Sequence, residues 1–178
     1  MNEAPLERTE HGLVPDGEGW FVVNATEAPW GTASGFGRDV AFEADREHEF
    51  PEYGINIQVI EPGVPNCLYH EENAQESFLV LSGECLLLVE GEERPLRQWD
   101  FVHFPPGTRH VVVGAGDAPC AVLMVGTRKD PEEVLYPVEP VAQRHGAGVD
   151  AETPDPKVAY AGRETGTQAY RRGDLPGA

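Results

Sequence analysis

The feature that most constrains the fold is a succession of short apolar segments between residues 52 and 127, each bounded by turn-forming residues. Six segments are rich in β-branched and aliphatic residues: 55–60, 77–82, 84–90, 101–104, 109–113 and 121–125. Glycine, proline or acidic pairs separate them, as in Pro62-Gly63 and Pro105-Pro106-Gly107. Regularly spaced strands without an intervening helical pattern are typical of an antiparallel sandwich or barrel. The sequence therefore predicts an all-β fold.

The flanking residues differ in character from this central run, which divides the chain into three zones. Residues 1–49 form an N-terminal extension with one or two strands, and 20–23 is its clearest strand candidate. Residues 50–127 form the barrel. Residues 128–178 are rich in proline, glycine and charge, and this C-terminal tail wraps the barrel, joins a partner subunit or is partly disordered.

The composition excludes several classes of partner. The formal net charge is −18 over 178 residues. Such a surface repels phosphate backbones and anionic lipid, so we expect no nucleic-acid and no membrane partner.

The first ten residues are polar and lack a secretory pattern, and no run approaches the ~18 apolar residues of a membrane helix. The three cysteines show no CxxC spacing, which predicts reduced thiols and a cytoplasmic location.

Two segments hold the residue types of a metal site. In an extended chain, residues two apart point to the same face, so His70 and Glu72 project together. Glu76 opens the next apolar strand, and His110 follows the Pro-Gly turn at 105–107. Antiparallel pairing would bring all four side chains to one point. Burying two carboxylates is costly without a compensating cation, and two imidazoles with two carboxylates suit one divalent ion, Mn²⁺, Fe²⁺, Zn²⁺ or Ni²⁺.

The same segments resemble the paired motifs of the cupin superfamily. The first motif is matched by His70, by Glu76 and by Gly83, which follows Glu76 after six intervening residues. The second, P-x-G followed by histidine, is matched by 105–107 and His110. The resemblance implies a double-stranded β-helix, that is, a cupin jelly-roll barrel with N- and C-terminal extensions. It also implies a metal ion held by the four residues named above.

Three positions depart from the motifs. Glu72 stands where the first motif has its second histidine, Trp99 stands where the second motif begins with glycine, and Gly114 replaces its final asparagine. The change at Glu72 affects a ligand position and leaves the identity of the metal open. An alternative alignment would turn Tyr69 and Glu71 inward, but it discards the only imidazole of this segment.

Other candidate residues have a structural interpretation as well as a functional one. His103 either lines the pocket as an acid or base, or is a core or surface histidine. Tyr69 and Cys67 alternate away from His70 if the strand is regular, so we expect them to pack. Cys85 lies in an apolar strand and behaves as a small hydrophobe. Three further histidines lie outside the barrel and are expected to face solvent: His11, His48 and His145.

The resemblance implies an enzyme that uses one divalent metal on a small organic substrate, with dioxygenase-like or enol/isomerase chemistry. Glu76 or His103 would accept a proton; no catalytic residue is assigned beyond these candidates. A phosphate-bearing substrate is less favoured, because no cluster of arginine or lysine lies near residues 63–110. The alternatives are a non-catalytic module that binds a small molecule or metal, and a structural protein with a vestigial pocket. Pairing of sheet edges predicts a homodimer.

Overall fold

The computed structural model describes residues 2–43 and 49–176. Within them strand residues far outnumber helical residues. The N-terminal strands are β1 (Leu6–Arg8), β2 (Leu13–Pro15), β3 (Trp30–Ala33) and β4 (Arg38–Ala41). The central strands are β5 (Tyr53–Ile60), β6 (Glu71–Glu72), β7 (Glu76–Ser82), β8 (Glu84–Val89), β9 (Glu92–Arg97), β10 (Phe101–Phe104), β11 (His110–Ala115) and β12 (Cys120–Thr127). The tail holds β13 (Val134–Leu135), α1 (Pro140–Arg144), α2 (Pro156–Ala159) and β14 (Thr165–Gln168).

Two antiparallel sheets face each other and confirm the predicted all-β jelly-roll fold. The larger has seven strands in the order β10-β7-β12-β5-β4-β3-β14, and the smaller has three in the order β11-β8-β9. Alternate side chains of both sheets point into the space between them. There Phe78 and Val122 of the larger sheet pack in one cluster with Leu87 and Val112 of the smaller sheet. This cluster is the core of the barrel.

The extensions cover the outer faces of both sheets. Against the larger sheet, the fully buried Trp30 packs with Val59 and with Tyr170 of the tail. Against the smaller sheet, Val141 of α1 packs on Val111. The tail is therefore part of the fold, and it wraps the barrel. Neither helix in the described part of the chain is long and apolar enough to cross a membrane.

The six predicted central strands are all present, but the strand predicted at 20–23 is wrong. In that segment Trp20 makes only an isolated bridge to Glu3, and Val22 is exposed. Its apolar residues therefore gain no sheet partner. Conversely, the sequence Glu-Glu-Arg-Pro-Leu-Arg of β9 gave no strand pattern, because this edge strand exposes most of its side chains.

His11 and His145, which were expected to face solvent, are both partly exposed. His11 lies beside Glu10, and His145 places Nε2 3.0 Å from a carboxylate oxygen of Glu93. His48 lies outside the described residues. Cys85 lies in β8, one of the predicted strands, and is buried in the core as predicted.

Trp99 occupies a backbone conformation that suits glycine. Its φ is +74° and its side chain is 67% exposed. A side chain at positive φ costs about 1 kcal/mol or more relative to glycine. We expect Trp99→Gly to be more stable to denaturant than Trp99→Ala by about 1 kcal/mol. Both variants remove the indole, so equal unfolding free energies would show that the backbone here is unstrained.

Candidate metal site

Three segments of chain meet at one end of the barrel and carry the candidate ligands. His70 directly precedes β6 and pairs with His110, the first residue of β11, through two backbone hydrogen bonds of 3.2 and 2.9 Å. Glu76 is the first residue of β7, which pairs with β12 and β10. The residues that begin these strands are therefore neighbours in space although up to 40 residues apart in sequence.

His70, Glu76 and His110 form a compact group. One ligand atom of each lies within 4.8 Å of those of the other two, and the two imidazole centroids are 5.1 Å apart. Nε2 of His110 lies 3.1 Å from Oε2 of Glu76. The His110 ring itself is buried and stacks on Phe104, with 3.9 Å between the centroids. This packing fixes the plane in which its free nitrogen lies.

Backbone carbonyls set the orientation of both imidazoles. Nδ1 of His70 lies 2.8 Å from the Leu68 carbonyl oxygen, and Nδ1 of His110 lies 3.0 Å from that of Thr108. A carbonyl only accepts hydrogen bonds, so each Nδ1 carries a hydrogen, and in the neutral ring Nε2 is the nitrogen with a lone pair for a metal. Histidines that bind metals are held in this way by their second nitrogen.

Glu72 touches this group without joining it. Its Oε1 lies 3.4 Å from Nε2 of His70. The hydrogen bond and the charge of His70 lower the pKa of Glu72, against the opposing effect of burial. Three of the four predicted ligands thus converge closely, while Glu72 contacts one of them from the side.

Cys67 lies where the predicted strand alternation would not place it. Its sulfur is 3.7 Å from Nδ1 of His70, and both residues line one cavity, which is described below. Cys67 packs against the cluster that contains Tyr69, as expected, but it does not alternate away from His70, because residues 61–69 contain only isolated bridges and do not alternate as a strand does. Burial disfavours a charged His70 ring, but Cys67 and Glu72 outweigh it and raise the pKa of His70 well above its ordinary value.

The remaining predicted residues have structural positions. Tyr69 packs on the outer face of the smaller sheet, as expected, and its hydroxyl accepts a hydrogen bond from the Gly91 backbone. Glu71 accepts a 2.7 Å hydrogen bond from Arg109, so the alignment that turns Tyr69 and Glu71 inward is wrong. His103 is a surface histidine paired with Ser77, because its neighbours in β10 point into the core.

A cavity of about 240 Å³ lies against the group. Beside His70, Glu72 and Glu76, its walls include three carboxamide residues that the sequence analysis did not single out: Asn56, Gln58 and Asn66. Alternation along β5 turns Asn56 and Gln58 inward, while Ile57 and Val59 pack outside. Polar residues at alternate positions of an otherwise apolar strand indicate that Asn56 and Gln58 share a face, but the register of β5 in the sheet determines that this face points inward.

Two buried side-chain atoms in the described residues have no hydrogen-bond partner: Oδ1 of Asn56 and Nε2 of His110. Buried polar atoms are rarely left unpaired, because each costs about 1–3 kcal/mol. One of these atoms faces the cavity and the other is a member of the ligand group. Two imidazole lone pairs and a carboxylate also match the donor set of a divalent transition metal. The residues present therefore fit a metal ion.

Comparison with known proteins agrees with this geometry. Residues 56–126 match the family model of the cupin domain. The chain contains a cupin domain. No curated protein matches the sequence significantly.

Two solved structures have a similar cupin fold. A protein from Acidithiobacillus ferrooxidans, provisionally assigned as a sugar phosphate isomerase, is 30% identical with a TM-score of 0.50; the match covers 56% of this chain and 65% of that one. The chain thus spans less than two thirds of that protein's length. The polyketide cyclase RemF from Streptomyces resistomycificus is 16% identical with a TM-score of 0.52, over 61% of this chain and 79% of that one. The second likeness concerns the fold alone.

Proposed function

We propose that this cupin is an enzyme that uses one divalent metal ion on a small organic substrate. The observation that supports it best is the convergence of His70, His110 and the carboxylate of Glu76, one ligand atom of each lying within 4.8 Å of the other two. Each imidazole is fixed by a backbone carbonyl, so the donor set is preorganised before the ion binds. Three protein ligands leave coordination positions for oxygen atoms of a substrate.

The surrounding residues suggest how the site would work. A bound divalent ion would supply Lewis-acid chemistry, stabilising negative charge on a substrate oxygen. Glu72 is held 3.4 Å from His70 and lies outside the compact group, so it is the carboxylate available to accept a proton. It also borders a wider cleft of about 950 Å³ on the outside of the molecule. Protons released at Glu72 can therefore reach solvent.

The charge of the cavity bears on the substrate. Among its described lining residues the one cation is Arg128, whose guanidinium donates two hydrogen bonds of 3.0 and 2.8 Å to Glu43. A cation already neutralised in this way is poorly disposed to bind a phosphate. The similarity to the Acidithiobacillus protein supports isomerase chemistry. The charge of the cavity favours a substrate without phosphate, so we propose isomerase-like chemistry on an enolisable substrate, or oxygenase chemistry on an enol.

The test compares two reactions on protein loaded with Fe²⁺ or Mn²⁺. Oxygen consumption is measured with a panel of β-diketones and flavonols. Exchange of substrate hydrogen for deuterium is measured on α-hydroxy ketones. Turnover in either assay that is absent from Glu76→Gln supports the enzyme. Silence in both, with the metal tightly retained, favours the alternative of a non-catalytic binding module.

We also propose a homodimer in a reducing, cytoplasmic environment. Strand β10 is an edge of the larger sheet. Phe101, its first residue, is 65% exposed, and Trp99, two residues earlier, is 67% exposed. Apolar side chains on a free edge favour association with another chain. The cysteines are unpaired, which supports the reducing location. Light scattering that gave the mass of one chain at micromolar concentration would contradict the dimer.

A further inference from the structure

We propose that Tyr160, in the C-terminal tail, is a positioning residue for the metal site, which it serves by holding Leu68, the residue whose carbonyl orients His70. The affinity part of this inference rests on the proposed function; the orientation part does not. Tyr160 lies beyond residues 56–126, which match the cupin domain model. The tail would thus contribute to a site whose ligands all belong to the barrel.

The segment that carries His70 takes much of its hydrogen bonding from the tail. Tyr69 donates its backbone N–H to the carbonyl of Ala147 at 2.8 Å. Asn73 donates its side-chain amide to the carbonyl of Pro131 at 3.0 Å. The two residues of β6 pair with β13. Because residues 61–69 contain only isolated bridges, these contacts, together with the two backbone hydrogen bonds to His110, determine where His70 lies.

Tyr160 acts on the one residue that contacts the His70 ring through its backbone. The Tyr160 hydroxyl accepts a 3.1 Å hydrogen bond from the backbone N–H of Leu68. The carbonyl of the same Leu68 lies 2.8 Å from Nδ1 of His70. Tyr160 therefore holds the backbone N–H of Leu68, while the carbonyl of Leu68 orients the imidazole. Loss of the hydroxyl would release the amide side of Leu68, so that this residue could shift and change the direction in which its carbonyl meets the ring.

Aromatic packing strengthens the same connection. Tyr136 lies between the two groups: its ring meets that of Tyr160 edge to face at 5.6 Å, and its centroid is 6.0 Å from that of His70. Burial raises the pKa of the Tyr160 hydroxyl, which therefore stays neutral. Tyr160 is therefore connected to His70 in two ways, through Leu68 and through the Tyr136 ring.

The chain offers a matched control. Tyr170 also lies in the tail, and its hydroxyl also accepts a hydrogen bond from a backbone N–H, that of Leu175, at 3.2 Å. Its ring packs on Trp30, on the outer face of the larger sheet. Tyr160→Phe and Tyr170→Phe therefore remove the same atom and the same kind of bond, near the site in one case and away from it in the other.

The experiment measures two properties of the full-length wild type and both variants. The first is the affinity for Co²⁺, by titration of its visible absorption. The second is the tautomer of His70 in the metal-free protein, by nitrogen NMR at a pH where the ring is neutral. Tyr160→Phe is expected to weaken Co²⁺ binding by about tenfold or more and to shift hydrogen from Nδ1 toward Nε2. Tyr170→Phe is expected to leave both unchanged.

Unchanged affinity and tautomer in Tyr160→Phe would overturn the proposal, and so would equal changes in the two variants, since that indicates general loosening of the tail. If the wild type itself binds no Co²⁺, the proposed function fails, and the tautomer comparison alone decides whether Tyr160 positions His70.

Discussion

Replacing Glu76 with glutamine is expected to weaken divalent-metal binding by at least a hundredfold. The substitution keeps the shape of the side chain and removes the only carboxylate in the compact group with His70 and His110. Changes to groups that merely orient ligands cost about 10–100-fold in affinity, so loss of a ligand is expected to cost at least as much as the upper end of that range. The measurement is calorimetric titration with Co²⁺ or Zn²⁺.

Glu72→Gln is the matched control for Glu76→Gln. Glu72 touches His70 at 3.4 Å but lies outside the compact group, so its loss is expected to weaken binding by about tenfold or less. Both variants remove one negative charge from the same cavity, which cancels the general electrostatic effect. If both lose affinity equally, Glu72 is a full ligand, and the four-ligand set predicted from the sequence is correct in place of a three-ligand group.

Gly114→Ala is expected to destabilise the protein by about 3 kcal/mol or more, the range of severe steric substitutions. A Cβ at this position would collide with the carbonyl oxygen of Glu61 and lie 2.7 Å from its carbonyl carbon. These are backbone atoms, held by hydrogen bonds between Gly114 and residues 63 and 64, and they have no rotamer by which to move aside. The free energy of unfolding in denaturant measures the effect.

The other glycine of the second motif provides the comparison. Gly107 has a φ of +81°, and a Cβ there would meet nothing within 4 Å. Gly107→Ala therefore costs only the backbone preference, about 1 kcal/mol. If Gly114→Ala lowers the free energy of unfolding no more than Gly107→Ala does, the two backbone segments can separate at this point. The glycine in place of the motif's asparagine is thus explained by close approach of two backbone segments.

The barrel was predictable because its central strands are apolar on alternate or successive residues and are separated by turns. The motif spacing likewise predicted which strand ends would meet, and His70, Glu76 and His110 do meet. The predictions that failed concern single segments outside the central strands. The strand predicted at 20–23 has apolar residues without a partner, and β14, with the sequence Thr-Gly-Thr-Gln, becomes a strand only through pairing with β3.

The surroundings of the site depended on contacts that no local pattern encodes. Cys67 meets His70 because its segment is irregular. Tyr160 reaches Leu68 across 92 residues of sequence. Asn56 faces the cavity because of the register of β5 in the larger sheet. Each is set by tertiary packing, so the sequence predicted the candidate metal ligands but not the residues that orient them or line their cavity.

The measurement that tests the central claim most directly is the metal content and coordination of the purified protein. Elemental analysis and X-ray absorption are applied after dialysis to the wild type and to the His70→Ala/His110→Ala double variant. The expected result is one divalent ion per chain, bound by two imidazoles and by oxygen, and its absence from the double variant. A wild type that retains no ion when supplied with Mn²⁺, Fe²⁺, Zn²⁺ or Ni²⁺, or a double variant that retains as much, would contradict the account.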